Sequence, residues 1–484
     1  MTRRSAITNS AINTAGLVIP IFLTLITAPL YIKYIGASRY GVLAIVWILL
    51  GYLGFMDLGL SRASENALGK LSSASSHERG RVIVTSAYLN LALGLVGSLI
   101  IYLGGKIALG MHLIVSPDLS DEFNSALPWV ALMLPLSLLG GVGVGSIESR
   151  ENFLTSNIIS VANNLIGSML PLAAALAIGP SLAVIVPAVF LAKLLNVGAI
   201  FYAVLRDEGP LSYRSFDRAR GRALFGYGFW ISVTNVISPV LTSVDQLLIG
   251  SILGSAAVTH YNIPMSLASR TQLIAVSLSK TLFPSLSRLD KAAAAILSHR
   301  STQVLAYLVA AVCGPAIIMS DQFFRIWLGA DFAVIASPVA KILMVGAWIN
   351  SVAFLSFSLL QAQGRPDLVA KVHVIEALPF LAILWCLLTS YGLEGAAVAW
   401  CLRVLIDTIL LLWLVDFRPR QYASLFPPGA MLIATYLVST SQHLTLTSSV
   451  VVGSAVGLTI LSTGAALNPS MRTLCFGITR RLFG

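Results

Sequence analysis

Positively charged side chains inside long apolar runs carry the clearest chemistry in this sequence. Arg270 and Lys280 lie in one run, while Lys33 and Lys193 lie singly in two others. A charge within a membrane is costly, so such cations are expected where a water-filled cavity receives an anion. Ten residues rise about 15 Å along a helix, which keeps Arg270 and Lys280 apart. We therefore predict an anion-binding cavity with cations at two depths, to which Asn262 of the same run adds a polar group.

Each of these residues is also compatible with a structural role. Lys280 can extend along its helix to the membrane surface, and Arg270 can form an internal ion pair. Arg62 follows Asp57 at the end of the second apolar run, so these two can pair at the interface. Asn235 is one of several asparagines at membrane depth, which either bond to neighbouring helices or line a wet cavity for a hydroxyl-rich substrate. Arg62 and Asn235 are further candidates for substrate contacts.

Three carboxylates in apolar runs are candidates for coupling to an ion gradient. Glu376 lies inside a run, where a carboxylate can exchange protons, although it can also be polar filling near a helix end. Asp245 and Asp57 are further candidates, each also compatible with a structural role. Arg403 and Asp407 are four residues apart, so they can pair on one helix face. The coupling prediction therefore centres on Glu376.

The composition requires most of the chain to lie in a membrane. Of 484 residues, 57% are hydrophobic and only 11% are charged, against about a quarter charged in ordinary soluble domains. A helix needs roughly twenty residues to cross the hydrocarbon core, so apolar runs of this length indicate transmembrane helices. The sequence predicts an all-α polytopic membrane protein of about fourteen such helices. They lie near residues 12–35, 41–61, 83–105, 126–147, 156–179, 183–205, 223–250, 256–282, 304–320, 338–362, 371–391, 393–415, 428–443 and 447–466.

The positions of lysine and arginine predict the topology. Basic residues are retained on the cytoplasmic side of a membrane. Placing the N-terminus inside leaves only Arg39, Lys106 and Arg325 in outer loops, and both termini are then cytoplasmic. The net charge of +11 reflects this topology. It does not indicate nucleic-acid binding, because the basic residues form short clusters between spans.

The sequence carries no recognisable catalytic or cofactor-binding motif. The four cysteines form no CxxC pair and have no histidine at metal spacing, so neither a disulfide nor a metal site is predicted. No P-loop, Ser-His-Asp set or HExxH motif occurs. The largest outer loop, about 106–125, holds only Asp118, Asp121 and Glu122 as carboxylates, which offers little to a membrane glycosyltransferase. We predict a transporter without cofactors rather than an enzyme.

Two short segments recur along the chain at a nearly constant offset. The segment at Gly36 resembles the segment at Gly254, and the segment at Gly179 resembles the segment at Gly392. An offset of six spans makes two parallel repeats related by an axis along the membrane normal, an arrangement that secondary transporters use. We predict an N-terminal lobe, a C-terminal lobe and an extra pair of helices with a cytoplasmic tail. Their bounds are 1–222, 223–420 and 421–484.

Several segments together resemble a known family. They are 31–36 (YIKYIG) with 40–42 (YGV), 56–60 (MDLGL), 245–250 (DQLLIG) with 253–254 (LG), 326–329 (IWLG) with 332–333 (FA), and 363–365 (QGR). This set resembles the Wzx-type flippases for O-antigen and exopolysaccharide, within the multidrug/oligosaccharidyl-lipid/polysaccharide exporter superfamily. The segments are specific as a set and loose one by one. The resemblance extends over essentially the whole chain.

The resemblance implies two six-helix lobes around a central cavity, with two extra helices at the C-terminus. It implies a bacterial inner-membrane transporter that moves a polyprenyl-diphosphate-linked oligosaccharide to the outer leaflet by alternating access, coupled to an ion gradient. Its partners would be this lipid-linked substrate, membrane lipids and the polysaccharide polymerase or chain-length machinery. Related lipid II flippases carry arginines in the first, second and eighth helices, where this chain has Lys33, Arg62 and Arg270.

The resemblance makes Arg270 the leading diphosphate contact, with Arg62 and Lys280 as helpers. Lys33 in place of an arginine argues against lipid II as the cargo. A cation-coupled multidrug exporter is one alternative, and it would need carboxylates in its cavity. A membrane-bound glycan polymerase or glycosyltransferase is another, and it would turn over sugars in purified form.

Overall fold

The computed structural model of the chain is helical, with no β-strand in the residues that it describes. These are residues 23, 25–47, 54–57, 60–71, 75–110, 117–150, 152–212, 216–218, 221, 244–442 and 444–472. Within these ranges, a few side chains are not described, among them those of Arg62 and Lys280. Asn235 lies outside the described ranges altogether.

Long apolar helices account for most of the described chain. Nine of the described helices are long and apolar enough to cross a membrane, which confirms the predicted all-α polytopic fold class. In chain order the helices are α1 (25–47), α2 (Leu60–Lys70), α3 (Ser76–Gly110), α4 (Ser120–Glu148), α5 (Phe153–Ala177), α6 (Leu182–Glu208), α7 (Val244–Leu253), α8 (Ser255–Arg270), α9 (Leu273–Arg288), α10 (Lys291–Leu328), α11 (Ala330–Ala362), α12 (Pro366–Leu414), α13 (Pro419–Ser441) and α14 (Leu446–Leu467).

The chain divides into two compact units between Thr259 and His260. In the first unit α4 is central, because it packs against α3 and α6, while α5 packs against α6. Gly94 of α3 permits a close crossing with α4, since a Cβ atom there would lie 2.6 Å from the Cα atom of Pro135. Small residues at such crossings let helix backbones approach in a membrane, where packing rather than hydrophobicity drives association.

In the second unit α10 and α11 form the central pair. Helix α12 packs on α11, and both α13 and α14 pack on α10. Glycines again permit the crossings: a Cβ atom on Gly346 of α11 would collide with the Trp400 ring of α12. On α10, a Cβ atom on Gly314 would lie 2.8 Å from Val456 of α14. The extra C-terminal pair is therefore built into the second unit.

The four glycines of the predicted repeat all have positive φ angles, and only those of the first pair nearly coincide. Gly36 and Gly254 have φ angles of +81° and +87°, and Gly179 and Gly392 have φ angles of +151° and +60°. This region of φ is open to glycine and costly for other residues. Gly179 and Gly254 lie between successive helices, and Gly36 lies within α1. Gly392 lies within the 49-residue helix α12 and divides it into two membrane-length halves. The two predicted spans 371–391 and 393–415 correspond to these halves.

The predicted span 256–282 is two helices rather than one. The amides of Thr271 and Gln272 bond to carbonyls three residues back, at 3.1 and 3.2 Å, instead of four. This interrupts the α-helical ladder between α8 and α9. Arg270 and Lys280 therefore lie on successive helices, so the prediction of one continuous helix is corrected here.

The predicted span 41–61 comprises the end of α1, a 3-10 turn at Gly54–Asp57 and the start of α2. The Asp57 carboxylate accepts hydrogen bonds from the backbone amide of Ser61 at 3.1 Å and from its hydroxyl at 3.0 Å. Asp57 thus bonds to the first turn of α2, as capping residues do. The predicted lobe boundary at 222/223 adjoins residues outside the description and stays a prediction.

Candidate functional site

A polar cavity of about 500 Å³ lies inside the first unit. Helices α1, α4, α5 and α6 all contribute to its wall. Its polar members, apart from two tyrosines, are Thr27, Ser137, Asn163, Asn164, Ser168 and Lys193. None of the described residues that line it is acidic. Amides, hydroxyls and one ammonium group therefore share one space between apolar helices.

Three aromatic side chains of α1 form another part of the wall. The ring centres of Tyr31 and Tyr40, on either side of Gly36, lie 5.8 Å apart, and the Tyr40 and Trp47 rings meet edge-on at 6.1 Å. The Tyr31 hydroxyl donates a 2.8 Å hydrogen bond to the backbone carbonyl of Ser168 in α5. This bond holds α1 against α5, so the aromatic wall is fixed in place beside the polar groups.

Helical spacing brings the other polar groups to the cavity. Asn164 and Ser168 are four residues apart on α5, and Val189 and Lys193 are four apart on α6. Residues with this spacing lie on one face of a helix. A single face of each helix therefore turns toward the cavity.

Lys193 is the one charged side chain among the described residues of this wall. It is half-buried and lies near the middle of α6, which is long and apolar enough to span a membrane. Its ammonium group makes no hydrogen bond or ion pair with any residue in the described ranges. A cation held at membrane depth without a counter-ion is a functional feature by default. The geometry suits the binding of an anion.

A separate network of charged side chains lies at one end of the first unit. Arg79 is fully buried and donates to the Glu208 carboxylate at 2.7 to 3.0 Å, to the Leu68 carbonyl at 2.7 Å and to the Ser149 hydroxyl at 2.9 Å. Arg150 donates two more bonds of 2.7 Å to Glu208. These bonds with Glu208 raise the pKa of Arg150 above its ordinary value. The network ties α2, α3 and α6 to the α4–α5 connection.

The second unit contains a cluster of charged side chains that we call the α12 cluster: His373, Glu376, Arg403 and Asp407. The first two lie before the Gly392 junction and the last two after it. His373 Nε2 lies 3.6 Å from Asp407 Oδ1, and Arg403 Nη1 lies 3.5 Å from Glu376 Oε1. A cavity of about 180 Å³, otherwise apolar, adjoins Glu376 and Arg403.

The α12 cluster is incompletely hydrogen-bonded. Glu376 Oε2, Arg403 Nε and Asp407 Oδ1 are buried and make no hydrogen bond within the described part of the chain. The ligand atoms of His373, Glu376 and Asp407 lie within 4.8 Å of one another, close enough to surround a small cation. The Arg403 guanidinium already supplies a fixed positive charge there, which disfavours a resident metal ion. The arrangement suits a carboxylate that gains and loses a proton.

The expected ion pair between Arg403 and Asp407 is not among the contacts of the described residues. The nearer partner of Arg403 is Glu376, on the other half of α12. Asp407 lies instead beside His373. The spacing of four residues allows Arg403 and Asp407 to pair. The bend at Gly392 instead brings each of them to a partner about thirty positions away on the other half of α12.

Of the predicted substrate contacts, the structure brings Lys193 into the cavity of the first unit. Lys33 is exposed and does not line it; its ammonium lies 5.4 Å from the centre of the Tyr34 ring. Arg270 is half-buried in the second unit and makes no hydrogen bond or ion pair with the described residues. Asn262 is half-buried on the same helix, α8.

The remaining predicted residues have more varied positions. The side chains of Arg62, Lys280 and Asn235 lie outside the description. Asp245 is buried, and its carboxylate accepts a 2.8 Å bond from the backbone amide of Gln246. Neither Glu208 nor the aromatic wall of the cavity was predicted from the sequence. Glu208 resembles any charge at the end of an apolar run.

The fold of the chain resembles those of solved membrane transporters. The solved structure of lipid II flippase MurJ in its inward closed conformation gives a TM-score of 0.73 at 15% identity, covering 95% of this chain and 98% of that chain. A multidrug resistance MATE family transporter of the MOP superfamily, in its inward-facing conformation, gives 0.68 at 13% identity, covering 86% and 99%. At these identities the likeness shows the fold alone.

Sequence comparison identifies the family. Residues 34–337 match the family described as polysaccharide biosynthesis protein, and the chain belongs to it. A Shigella flexneri protein named as a candidate O-antigen transporter is 27% identical over 418 residues, 85% of this chain and 97% of the relative. Lipopolysaccharide biosynthesis protein WzxC of Escherichia coli K12 is 25% identical over 229 residues, 44% and 45% of the two chains. The predicted resemblance is confirmed, and the protein is a multi-pass membrane transporter.

Proposed function

We propose that this protein flips a polyprenyl-diphosphate-linked oligosaccharide from the cytoplasmic to the outer leaflet of a bacterial inner membrane by alternating access. Similarity to proteins named for O-antigen transport and lipopolysaccharide biosynthesis supports this cargo class. The observation that carries the proposal is Lys193, whose ammonium group has no partner among the described residues and lies in the wall of a polar cavity between membrane-spanning helices.

The cavity of the first unit suits the head of such a cargo. A diphosphate is anionic, and an ammonium group can donate up to three charge-assisted hydrogen bonds to it. The side-chain amides of Asn163 and Asn164 donate and accept, which matches the dual character of sugar hydroxyls. A volume of about 500 Å³ is typical of small-molecule sites. It accommodates the diphosphate and the nearest sugar, and the rest of the glycan must extend beyond it.

The same cavity argues against an exporter of organic cations. Such a cargo needs a carboxylate to balance its charge. The described residues of the wall offer a cation and no acid. Organic cations would therefore meet repulsion from Lys193.

Other residues are proposed to assist in cargo binding. Arg270 is the leading one, because it is a half-buried cation of the second unit without a partner among the described residues. The remaining proposed contacts are Arg62, Lys280, Lys33, Asn235 and Asn262.

We propose proton coupling through the α12 cluster, with Glu376 as the exchanging carboxylate. Its Oε2 atom is buried without a described partner. The nearby Arg403 guanidinium can balance the negative charge of Glu376 when this carboxylate is ionised. Asp245 and Asp57 are weaker proposals, because the carboxylates of both already accept backbone hydrogen bonds.

Flipping of a fluorescent lipid-linked oligosaccharide in proteoliposomes tests the cargo proposal. Lys193→Ala is expected to reduce flipping at least ten-fold, by loss of charge-assisted hydrogen bonds, and Lys193→Arg to restore part of it. The matched control is Lys106→Ala, which removes a solvent-exposed lysine bonded to Asn124. Complementation of a flippase-null strain should follow the same order. Normal flipping by Lys193→Ala at normal protein levels would overturn the proposal.

Two further proposals concern the surroundings of the protein. Both termini are proposed to lie in the cytoplasm, which labelling of terminal cysteines with an impermeant reagent in intact cells can test. Labelling without cell lysis would contradict it. A polysaccharide polymerase or chain-length protein is the proposed partner, and crosslinking in cells followed by co-purification tests this association.

A further inference from the structure

A second polar pocket, of about 270 Å³, lies in the second unit. We call it the α10–α14 pocket. It is formed where α10 ends, α11 begins and α13 connects to α14. The residues that matter to its chemistry are Asp321, Gln322, Arg325, Lys341 and Ser449. Neither the cargo cavity nor the α12 cluster includes any of them.

Lys341 and Asp321 form a compensated pair in its wall. Lys341 is only 4% exposed, and its ammonium group donates to Asp321 Oδ2 at 2.6 Å and to the Ser439 carbonyl at 3.0 Å. An ammonium group has three N–H donors, so one is left for a further acceptor. The Asp321 carboxylate balances the charge of Lys341, but one N–H donor of Lys341 remains without an acceptor among the described residues.

Arg325 and Ser449 add hydrogen-bonding groups that have no partner among the described residues. The Arg325 guanidinium is exposed and makes no hydrogen bond or ion pair with the described residues. Ser449 is 1% exposed, and its hydroxyl is buried without a described partner. With Lys341 and Asp321 cancelling, Arg325 leaves the pocket with one positive charge.

Apolar side chains adjoin the pocket on the outside of the helices. Val334 lines it and is 70% exposed, and Ile326, next to Arg325, is 66% exposed. In a membrane protein such side chains face acyl chains rather than water. A cationic, hydroxyl-bearing pocket beside an acyl-facing surface has the two-part chemistry of a phospholipid. Guanidinium, ammonium and hydroxyl groups are donors that suit a phosphate.

We propose that the α10–α14 pocket binds the phosphate of a membrane-lipid headgroup, held by Arg325, by the remaining donor of Lys341 and by the Ser449 hydroxyl. The acyl chains then lie along Val334 and Ile326. The site goes beyond the cargo proposal, and it would tie the extra helix pair to α10 and α11 through a bound lipid.

Native mass spectrometry of the full-length protein in detergent tests this site, with short-chain phosphatidylglycerol as the probe. Arg325→Ala should weaken binding about ten-fold, as expected for losing one charge-assisted hydrogen bond, and Ser449→Ala should weaken it less. The control is Arg288→Ala, which removes an exposed arginine at the far end of α9. Equal binding by wild type and Arg325→Ala would overturn the proposal.

Two further arms identify the ligand. Asp321→Asn should bind phosphatidylglycerol more tightly than wild type, because it leaves Lys341 uncompensated, whereas a purely structural pair predicts no gain. Should that variant fail to fold, Arg325→Gln decides instead, since Arg325 is exposed. Competition with inorganic phosphate separates a lipid from a soluble anion. Displacement of the lipid by phosphate at equal concentration would overturn the lipid assignment.

Discussion

The two units each bury a cluster of charged side chains, and the clusters differ in how fully they are bonded. In the first unit, Arg79 donates hydrogen bonds to Glu208, to backbone carbonyls and to a hydroxyl. In the second, Glu376, Arg403 and Asp407 each leave one buried atom without a described partner. An unsatisfied buried polar atom costs about 1–3 kcal/mol. The first cluster is therefore expected to stabilise the fold, whereas the second keeps buried polar atoms without described partners, as the proton-coupling proposal requires.

The largest expected effect comes from breaking the satisfied cluster. Arg79→Ala leaves Glu208 buried with one partner, Arg150, and should destabilise the protein by about 3–5 kcal/mol. Thermal unfolding of purified protein, followed by size-exclusion fluorescence, measures it. Arg81→Ala is the control, because its 3.0 Å pair with Asp217 is 39% exposed on the arginine side and is expected to contribute about 0–1 kcal/mol. Equal losses from both variants would show that the burial of Arg79 has no special role.

Lys193 should behave in the opposite way, since it is unpaired among the described residues. Lys193→Met keeps the length of the side chain and removes an uncompensated cation from a membrane-spanning helix. Stability is expected to rise by about 0.5–2 kcal/mol, the usual gain from relieving a functional compromise, while flipping falls. Unfolding temperature and flipping rate are measured on the same preparation. If Lys193→Met lowered both stability and flipping, the role of Lys193 would be structural, which would contradict the prediction.

The same substitution made in both clusters tests the comparison directly. Glu376→Gln should change stability by no more than about 1 kcal/mol, because the contact between Glu376 and Arg403 is long, at 3.5 Å, and a glutamine oxygen can still accept a bond from Arg403. Flipping should persist but lose its response to a pH gradient. Glu208→Gln should instead unfold the protein, since it leaves two arginines without a counter-charge. A pH response that survives in Glu376→Gln would move proton coupling away from the α12 cluster.

The sequence predicted the fold well because its signals are local. Apolar runs of membrane length located the spans, and the paired glycines marked positions of positive φ, which favour glycine, such as Gly36 and Gly254. The break between α8 and α9 was missed, because Thr271 and Gln272 carry no turn signal and Pro264, the nearby helix breaker, lies within α8.

The sites were harder to predict because they depend on contacts between distant residues. Lys193 was named, since a lysine amid apolar residues is conspicuous, but the partners of the cavity wall come from three other helices. Glu208 was missed for the same reason: its partner Arg79 is 129 positions away. The contact between Arg403 and Glu376 depends on the bend at Gly392, which spacing along one helix does not reveal.

The smallest expected effect separates the two arginines that share Glu208. Arg150 is 34% exposed, and its loss leaves the bonds between Arg79 and Glu208 intact. Arg150→Ala should therefore cost about 0.2–1 kcal/mol, as exposed ion pairs do. Thermal unfolding of purified Arg150→Ala, compared with that of Arg79→Ala, measures the difference between the two arginines. If Arg150→Ala cost as much as Arg79→Ala, bonding by all three residues together, rather than the burial of Arg79, would distinguish this cluster from the one in α12.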